Sequence, residues 1–210
     1  MLKVLISDDH TLVRKGLRHI LLDTKDVGVV DEARDGKETI SKVCAHDYDV
    51  VLLDISLPGR SGIDVLKQLK ALKPKLPVLI LSMHPEEQYA VRSLKAGASG
   101  YLTKESAPDE LLEAVQRLAK GGKFITPSLA EKLASEVGGK SENMPHETLS
   151  DREYQVMCMI ASGKTVKEIS VDLDLSAKTI STHRARILEK MGMKNNANLT
   201  YYAIKLGLVD

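Results

Sequence analysis

Tryptophan is absent from the sequence and phenylalanine occurs once. Proteins that bind single-stranded nucleic acid stack its bases on aromatic side chains, so this composition argues against that class of protein. Only two cysteines are present, Cys44 and Cys158, and they lie too far apart in the sequence for a metal-binding motif. We expect both to be small, buried hydrophobic residues.

Long apolar runs are also missing. No stretch approaches the ~20 apolar residues that a membrane-spanning helix needs. The apolar run over residues 1–6 gives way to Asp8 and Asp9 and is too short for a signal peptide. We therefore expect a cytoplasmic location and no membrane partner.

The overall charge is nearly neutral, at +1 over 210 residues. The local charge is not, because residues 177–194 contain five basic residues and one acidic residue, a net charge of +4. A basic segment inside a near-neutral chain is typical of a small DNA-binding element.

Two hydrophobic periods alternate over the first 120 residues. Short apolar runs predict strands at residues 4–7, 28–33, 50–54, 78–82 and 100–103. The run from Val50 to Leu53 has no polar alternation, as expected for a strand that is buried on both faces. Helical patterns separate the strands. The repeated order of strand and helix predicts an α/β domain, a doubly wound parallel sheet with helices on both faces.

Each helix of this domain should turn an apolar face towards the sheet. The predicted faces are Leu12, Leu17, Ile20 and Leu21; Ile63, Leu66, Leu69 and Leu72; and Leu111, Leu112, Val115 and Leu118.

The composition changes after residue 120, which predicts the domain boundaries. We assign residues 1–120 to the α/β domain and residues 148–210 to a small all-helical domain. Residues 121–147 between them are predicted to be a linker with a short helix over about 127–137. A last helix fits about residues 197–206 and stops at a glycine.

Polar residues mark the starts of three helices in the second domain. Ser150 with Glu153, and Thr165 with Glu168, have the spacing of a capping box, in which side chains satisfy free backbone N–H groups. Ser176 can cap a third helix.

Ligands of an open parallel sheet bind beyond the carboxyl ends of its strands. The residues at those ends are Asp8, Asp9, Asp54, Ser82 and Lys104. Clustered carboxylates repel each other unless a cation lies among them, and oxygen ligands favour Mg²⁺. A carboxylate beside Mg²⁺ can attack a phosphoryl group. Lys104 would neutralise charge on the transferred oxygens, and Ser82 would hydrogen-bond the product.

Each of these residues also has an ordinary structural explanation. An aspartate at a strand end is commonly a helix cap, and a lysine after a strand is commonly a solvated surface residue. The coincidence of five such residues at five matching positions favours a shared site.

Several motifs resemble the receiver domain of bacterial response regulators over about residues 2–120. They are Asp8-Asp9, Leu52-Leu53-Asp54 with Pro58-Gly59, Leu81-Ser82, and the segment 97–104. The resemblance implies the sheet order 2-1-3-4-5. It also implies that Asp54 receives a phosphoryl group from a sensor histidine kinase. The implied Mg²⁺ ligands are Asp9, Asp54, the backbone carbonyl of Ser56, and Asp8, either directly or through water.

The same resemblance implies a switch pair. The Ser82 hydroxyl would move to the phosphoryl group and the Tyr101 ring would rotate inward, although Tyr101 could instead be a plain half-buried aromatic of the sheet. Ser56 and His84 resemble positions that tune the hydrolysis of the phosphoryl group. A plain surface role explains His84 equally well.

The segment 165–191 has the proportions of a helix-turn-helix. Its second helix carries an apolar stripe of Ile180, Ile187 and Met191, which Ala177 and Leu188 flank. The opposite side combines small, hydroxylated and charged residues, namely Lys178, Ser181, Thr182, Ala185 and Glu189.

Small and hydroxylated side chains let a helix enter the major groove closely, so Ser181, Thr182 and Ala185 are the predicted base-facing residues. Phosphate contacts set the register of the protein on DNA. The predicted phosphate contacts are Lys178, Thr179, His183, Arg186 and Lys190. A generic amphipathic helix with a solvated basic face is the alternative.

The segments 149–153, 160–164, 167–169 and 175–183 resemble the LuxR-type domain of the NarL/FixJ family. This resemblance implies a four-helix domain whose last helix, near Asn195–Leu206, forms a dimer contact. A dimer of this kind reads two half-sites about one helical turn apart or a multiple of it.

Together the two resemblances imply a transcriptional regulator and not an enzyme. Phosphorylation at Asp54 would control dimerisation and the binding of double-stranded promoter DNA, where RNA polymerase is the expected partner. One rival is a phosphatase or hydrolase with an aspartate nucleophile, but its usual cap insertion has no counterpart in the short loops. The other is a phosphorylation-independent DNA-binding or scaffold protein, against which the complete acidic set argues.

Overall fold

The computed structural model describes residues 1–83, 86–138 and 144–209. The chain divides into two compact units, Met1–Leu133 and Ala134–Asp210. Within the described ranges, no helix combines the length and the apolar character needed to span a bilayer.

The first unit contains a five-stranded parallel sheet. Its strands are β1 (Leu2–Ser7), β2 (Val27–Ala33), β3 (Val50–Asp54), β4 (Val78–Ser82) and β5 (Gly100–Thr103). The strand order is β2-β1-β3-β4-β5, which confirms the predicted topology. Every residue of β3 and β4 is buried, because helices cover both faces of the sheet.

The register of the strands brings their carboxyl ends to one edge. Ser7 of β1 lies opposite Leu53 of β3, and Asp54 lies opposite Leu81 of β4. Ser82 in turn lies opposite Thr103 of β5. The residues that follow β1, end β3 and β4, and follow β5 therefore share this edge.

Five helices alternate with the strands. They are α1 (Thr11–Leu22), α2 (Gly36–Ala45), α3 (Gly62–Leu72), α4 (Glu86–Lys95) and α5 (Ala107–Ala119). One core beneath α1 and α5 contains Leu17 and Leu21 of α1 together with Leu111, Val115 and Leu118 of α5.

Two of the predicted helix faces are partly wrong. Leu12 is 84% exposed, because a residue five positions before Leu17 is rotated about 140° from it around a helix. Leu72 is 48% exposed and is the last residue of α3, whereas Ile63, Leu66 and Leu69 of the same predicted face are buried.

Helix α6 (Pro127–Gly138) contains the boundary between the two units. It begins at the proline that the sequence predicts as its start. The predicted linker includes residues 139–143, which lie outside the described residues.

After a short 3₁₀ turn at Pro145–Thr148, the described part of the second unit contains four more helices. They are α7 (Asp151–Ala161), α8 (Val166–Asp172), α9 (Ala177–Lys190) and α10 (Asn196–Lys205). Helix α7 packs against α9 and α10, and α8 packs against α9. All residues of α7 are buried or nearly so, which makes it the central helix.

The predicted caps of these helices are present. Ser150 with Glu153, and Thr165 with Glu168, form complete capping boxes, and the Ser176 side chain accepts a hydrogen bond from the Thr179 N–H. Between α8 and α9, Asp174 adopts a left-handed conformation with φ of 51°, which aspartate tolerates better than most residues.

Two burial predictions are wrong. Cys44 is exposed while Cys158 is buried, so only the second behaves as a small core residue. Cys44 lies one position beyond the buried Val43 on α2, on the solvent side of that helix. Ala177 is exposed because it is the first residue of α9, whereas Ile180, Ile187 and Met191 are buried as predicted.

Candidate functional site

A buried ion cluster occupies the carboxyl edge of the sheet. The ammonium Nζ of Lys104 lies 2.6 Å from Asp8 Oδ2 and 2.7 Å from Asp54 Oδ2. The side chains of Asp8, Asp54 and Lys104 are 0%, 1% and 6% exposed. The structure thus brings together three of the five strand-end residues that the sequence singles out, around one positive charge.

Burial and neighbouring charges shift the pKa values of this cluster. Burial is the largest effect on Asp54 and, with the repulsion of Asp8, raises its pKa above the usual range, although Lys104 opposes the shift. Burial by itself would lower the pKa of Lys104. The attraction of Asp54 and Asp8 outweighs it, so the pKa of the ammonium is raised. Lys104 is therefore a firmly charged cation at neutral pH.

The backbone around Asp54 is held in place by the loop that follows β3. The Ser56 N–H donates to Asp54 Oδ1 at 3.1 Å, and the Gly62 N–H donates to the Ile55 carbonyl at 2.9 Å. A Cβ atom on Gly62 would lie 2.2 Å from the Asp54 carbonyl oxygen and 2.6 Å from the Ile55 Cα. Only glycine fits there, so the first residue of α3 closes directly onto the Asp54 backbone.

The predicted switch pair lies inside the fold. Ser82 and Tyr101 are both 0% exposed, so Tyr101 is not the half-buried aromatic of the alternative interpretation. The Ser82 carbonyl accepts a hydrogen bond from the Lys104 N–H at 2.7 Å, which ties the end of β4 to the residue that carries the ammonium. Ser56 is half-buried, and His84 lies outside the described residues.

Four side chains at this edge offer ligand atoms for a metal ion. One potential ligand atom from each of Asp8, Asp9, His10 and Asp54 lies within 4.8 Å of those of the others. Three carboxylates fit the preference of Mg²⁺ for oxygen. His10 was not among the predicted site residues, because only its position directly after Asp8-Asp9 marks it in the sequence.

Helix α9 presents a polar face to solvent. The exposed residues are Lys178, Ser181, Thr182, Ala185, Arg186, Glu189 and Lys190, and Thr179 and His183 are half-buried. Five of these predicted DNA contacts line one depression of about 310 Å³, together with the helix cap Ser176. They are Lys178, Thr179, Thr182, His183 and Arg186.

Two of the predicted phosphate contacts, Lys190 and His183, also interact with other residues of the second unit. Lys190 Nζ lies 2.6 Å from Glu153 Oε2, whose side chain is 5% exposed. Burial is the largest effect on the pKa of His183 and lowers it, with help from Arg152 and Arg186, although Glu153 opposes the shift. His183 therefore faces the depression as a neutral ring at pH 7.

Arg184 of α9 contacts the last helix of the second unit. Arg184 Nε donates to Asn196 Oδ1 at 2.6 Å, and Asn196 is the first residue of α10. The last helix therefore holds the head group of Arg184.

Comparison with known proteins covers both units. Residues 4–116 match the family described as response regulator receiver domain, and residues 147–203 match bacterial regulatory proteins of the luxR family. The chain belongs to the NarL/FixJ family of two-component response regulators. It therefore joins a receiver domain to a LuxR-type DNA-binding domain, and is a DNA-binding regulator.

Relatives of this response regulator match it from end to end. It is 36% identical to response regulator UvrY of Escherichia coli strain K12 over 211 aligned positions, covering 100% of this chain and 97% of UvrY. It is 35% identical to response regulator GacA of Pseudomonas aeruginosa, covering 100% and 99%. A structure of RcsB from Salmonella enterica serovar Typhimurium, bound to promoter rprA in the presence of the phosphomimetic BeF3⁻, has a TM-score of 0.64 and 29% identity, covering 96% and 97%.

Proposed function

We propose that this response regulator accepts a phosphoryl group on Asp54 from a sensor histidine kinase and, in that state, dimerises and binds promoter DNA. The observation that carries the proposal is the position of Lys104, which lies within 2.7 Å of both Asp8 and Asp54 at the edge where the strands end. A buried ammonium beside a buried carboxylate can stabilise the negative charge of a phosphoryl group that is transferred to the carboxylate.

The transfer exchanges one bond for another. The phosphorus–nitrogen bond of the kinase phosphohistidine breaks, and a bond forms between phosphorus and a carboxylate oxygen of Asp54. Asp8, Asp9, Asp54 and the Ser56 carbonyl would hold Mg²⁺, which supplies positive charge to the phosphoryl oxygens. The Lys104 ammonium would supply a second positive charge to the same oxygens.

Phosphorylation places about −1.5 to −2 units of charge beside a buried cluster, which must bias an element with two arrangements. Ser82 and Tyr101 are the proposed switch residues. Ser82 ends β4 at the site, and Tyr101 lies one strand away on β5. A Ser82 hydroxyl that bonds the phosphoryl group would pull the end of β4 towards Asp54, and the Tyr101 ring would report the change to the surface of the domain.

The proposed DNA-reading element is α9. Ser181, Thr182 and Ala185 would face the bases, and Lys178, Thr179, His183, Arg186 and Lys190 would face the phosphates. Lys178 and Arg186 are the strongest candidates among the cations, because both are exposed and line the same depression. The structure of RcsB bound to a promoter is similar to this chain over 96% of its length, and it supports this role for the second unit.

The domain division that we propose is a receiver over residues 1–120, a linker over 121–147 and a DNA-binding domain over 148–210. Helix α10 is the proposed dimer contact, because Tyr201 and Ile204 expose 69% and 53% of their surface on it. RNA polymerase is the proposed partner at the promoter. We propose a regulator and not an enzyme.

The experiment is to map the phosphorylated residue. The full chain is incubated with Mg²⁺ and phosphoramidate, and the mass of the protein and of its peptides is measured. We expect a gain of one phosphoryl group on the peptide with Asp54, and none in Asp54→Ala or after chelation of Mg²⁺. A phosphoryl group on another residue would contradict the proposal. Multiple-turnover hydrolysis of a phosphomonoester would favour the rival enzyme.

A further inference from the structure

His10 stands beside the acidic cluster with its ring turned towards it. Its Nδ1 lies 2.8 Å from Asp9 Oδ1 and 3.3 Å from Asp8 Oδ1. Its backbone N–H donates to Asp8 Oδ1 at 2.7 Å. The backbone bond fixes the main chain of His10 relative to Asp8, which keeps the ring within reach of the carboxylates.

The carboxylate oxygens of the cluster divide between two neighbours. The Oδ2 atoms of Asp8 and Asp54 contact Lys104, while the Oδ1 atoms of Asp8 and Asp9 face His10. A cation can therefore lie on the His10 side of the carboxylates while the Lys104 ammonium keeps its two ion pairs.

The distances on the His10 side fit an octahedral ion. With bonds of about 2.1 Å, neighbouring ligands are about 3.0 Å apart and opposite ligands about 4.2 Å. The His10 distances to Asp9 and Asp8, 2.8 and 3.3 Å, are close to the first value.

We infer that His10 is a ligand of the receiver's metal ion, so that this site takes one imidazole nitrogen together with carboxylate oxygens and prefers Mn²⁺ to Mg²⁺. The inference rests on the proposed function, because the ion is the one that assists phosphorylation of Asp54. Nδ1 offers a lone pair when the ring proton is on Nε2. Imidazole nitrogen favours transition-metal dications, whereas Mg²⁺ favours oxygen ligands.

The alternative is that His10 only hydrogen-bonds the carboxylates and leaves when an ion arrives. Its side chain is 61% exposed, so the ring is free to turn outward. The two roles differ in one observable. A ligand nitrogen couples directly to the electron spin of bound Mn²⁺, and a displaced ring does not.

The test is pulsed electron paramagnetic resonance of Mn²⁺ bound to the full chain. We expect a directly coordinated ¹⁴N coupling in the wild type and in His19→Ala, a control that removes an exposed histidine of α1, and its loss in His10→Ala. A wild-type spectrum without that coupling, or a coupling that persists in His10→Ala, would overturn the inference.

Affinities measured on the same samples give a second readout. Free Mn²⁺ is counted by its spectrum, and Mg²⁺ is measured by competition. His10→Ala should weaken Mn²⁺ binding by about tenfold or more and Mg²⁺ binding clearly less, since it removes a nitrogen ligand. Equal losses for both ions would overturn the inference, whereas phosphorylation of Asp54 in the wild type with Mg²⁺ would still support the proposed function. Failure of the wild type to bind either ion would contradict the proposed function as well.

Discussion

Replacement of Lys104 by methionine should leave two buried carboxylates without their cation. Methionine keeps the packing of the lysine stem and removes the charge that lies 2.6 and 2.7 Å from Asp8 and Asp54. Breaking a buried ion pair on one side costs about 3–5 kcal/mol of stability. Protonation of one carboxylate would avoid the unpaired charge, but at pH 7 it costs about 4 kcal/mol relative to an ordinary aspartate, so the loss of stability should be of similar size.

The pH dependence of this loss has a definite sign. Without Lys104, the pKa of Asp54 rises further, since the remaining influences of burial and Asp8 both raise it. A carboxyl group with a folded-state pKa above its unfolded value binds protons more tightly in the folded state, so stability falls as pH rises above the unfolded pKa. The deficit of Lys104→Met relative to the wild type should therefore shrink as pH is lowered from 7 to 5.

Mg²⁺ should reverse much of the deficit at pH 7. An ion that binds only the folded state adds about 2.7 kcal/mol of stability when its concentration is a hundred times its Kd. The variant should gain more from Mg²⁺ than the wild type does, because no ammonium competes with the ion for the carboxylates.

The assay is hydrogen exchange of β3 amides during urea titration, which reports on the first unit alone. Lys15→Met is the control, because Lys15 is an exposed lysine of α1. A variant as stable as the control, or one that loses the same free energy with and without Mg²⁺, would refute the account of the cluster.

Three further predictions concern single contacts. Gly62→Ala should lower the stability of the first unit by about 1–3 kcal/mol and slow phosphorylation of Asp54, since its Cβ would overlap backbone; unchanged urea unfolding would contradict this. Lys178→Ala should leave thermal unfolding unchanged and reduce the slope of log binding constant against log salt by about 0.9; an unchanged slope would exclude a phosphate contact. Lys190→Met should destabilise the second unit by about 1–3 kcal/mol, because it leaves Glu153 buried without its cation; a variant that loses only DNA affinity would show that the contact to DNA dominates.

Much of the first unit follows from local pattern in the sequence. Apolar runs that each end in one polar residue predict β3 and β4 to the residue, because a strand buried on both faces lacks the apolar and polar alternation of a half-exposed strand. Helix faces are less certain. Leu12 looks like a core residue in composition, but it lies on the far side of α1 from Leu17.

The site residues are predictable where the topology of the sheet brings together residues that are far apart in the sequence. Lys104 is 50 residues from Asp54, yet both follow from the rule that ligands gather beyond the ends of parallel strands. Contacts without such a rule were missed. The pairing of Lys190 with Glu153 joins two helices across 37 residues, and no period within α9 indicates it. His10 was missed because a single polar residue between a strand and a helix has no pattern of its own.

We propose that a phosphoryl group on Asp54 controls DNA binding by the second unit. The most direct measurement is the Kd of the full chain for promoter DNA, with and without phosphoramidate and Mg²⁺, beside Asp54→Ala at the same salt concentration. Coupling between two sites of a protein is typically about 5- to 150-fold in affinity. We predict a tightening within that range in the wild type and none in the variant. Equal affinities of the phosphorylated and unphosphorylated wild type, or an equal response of Asp54→Ala, would contradict the account.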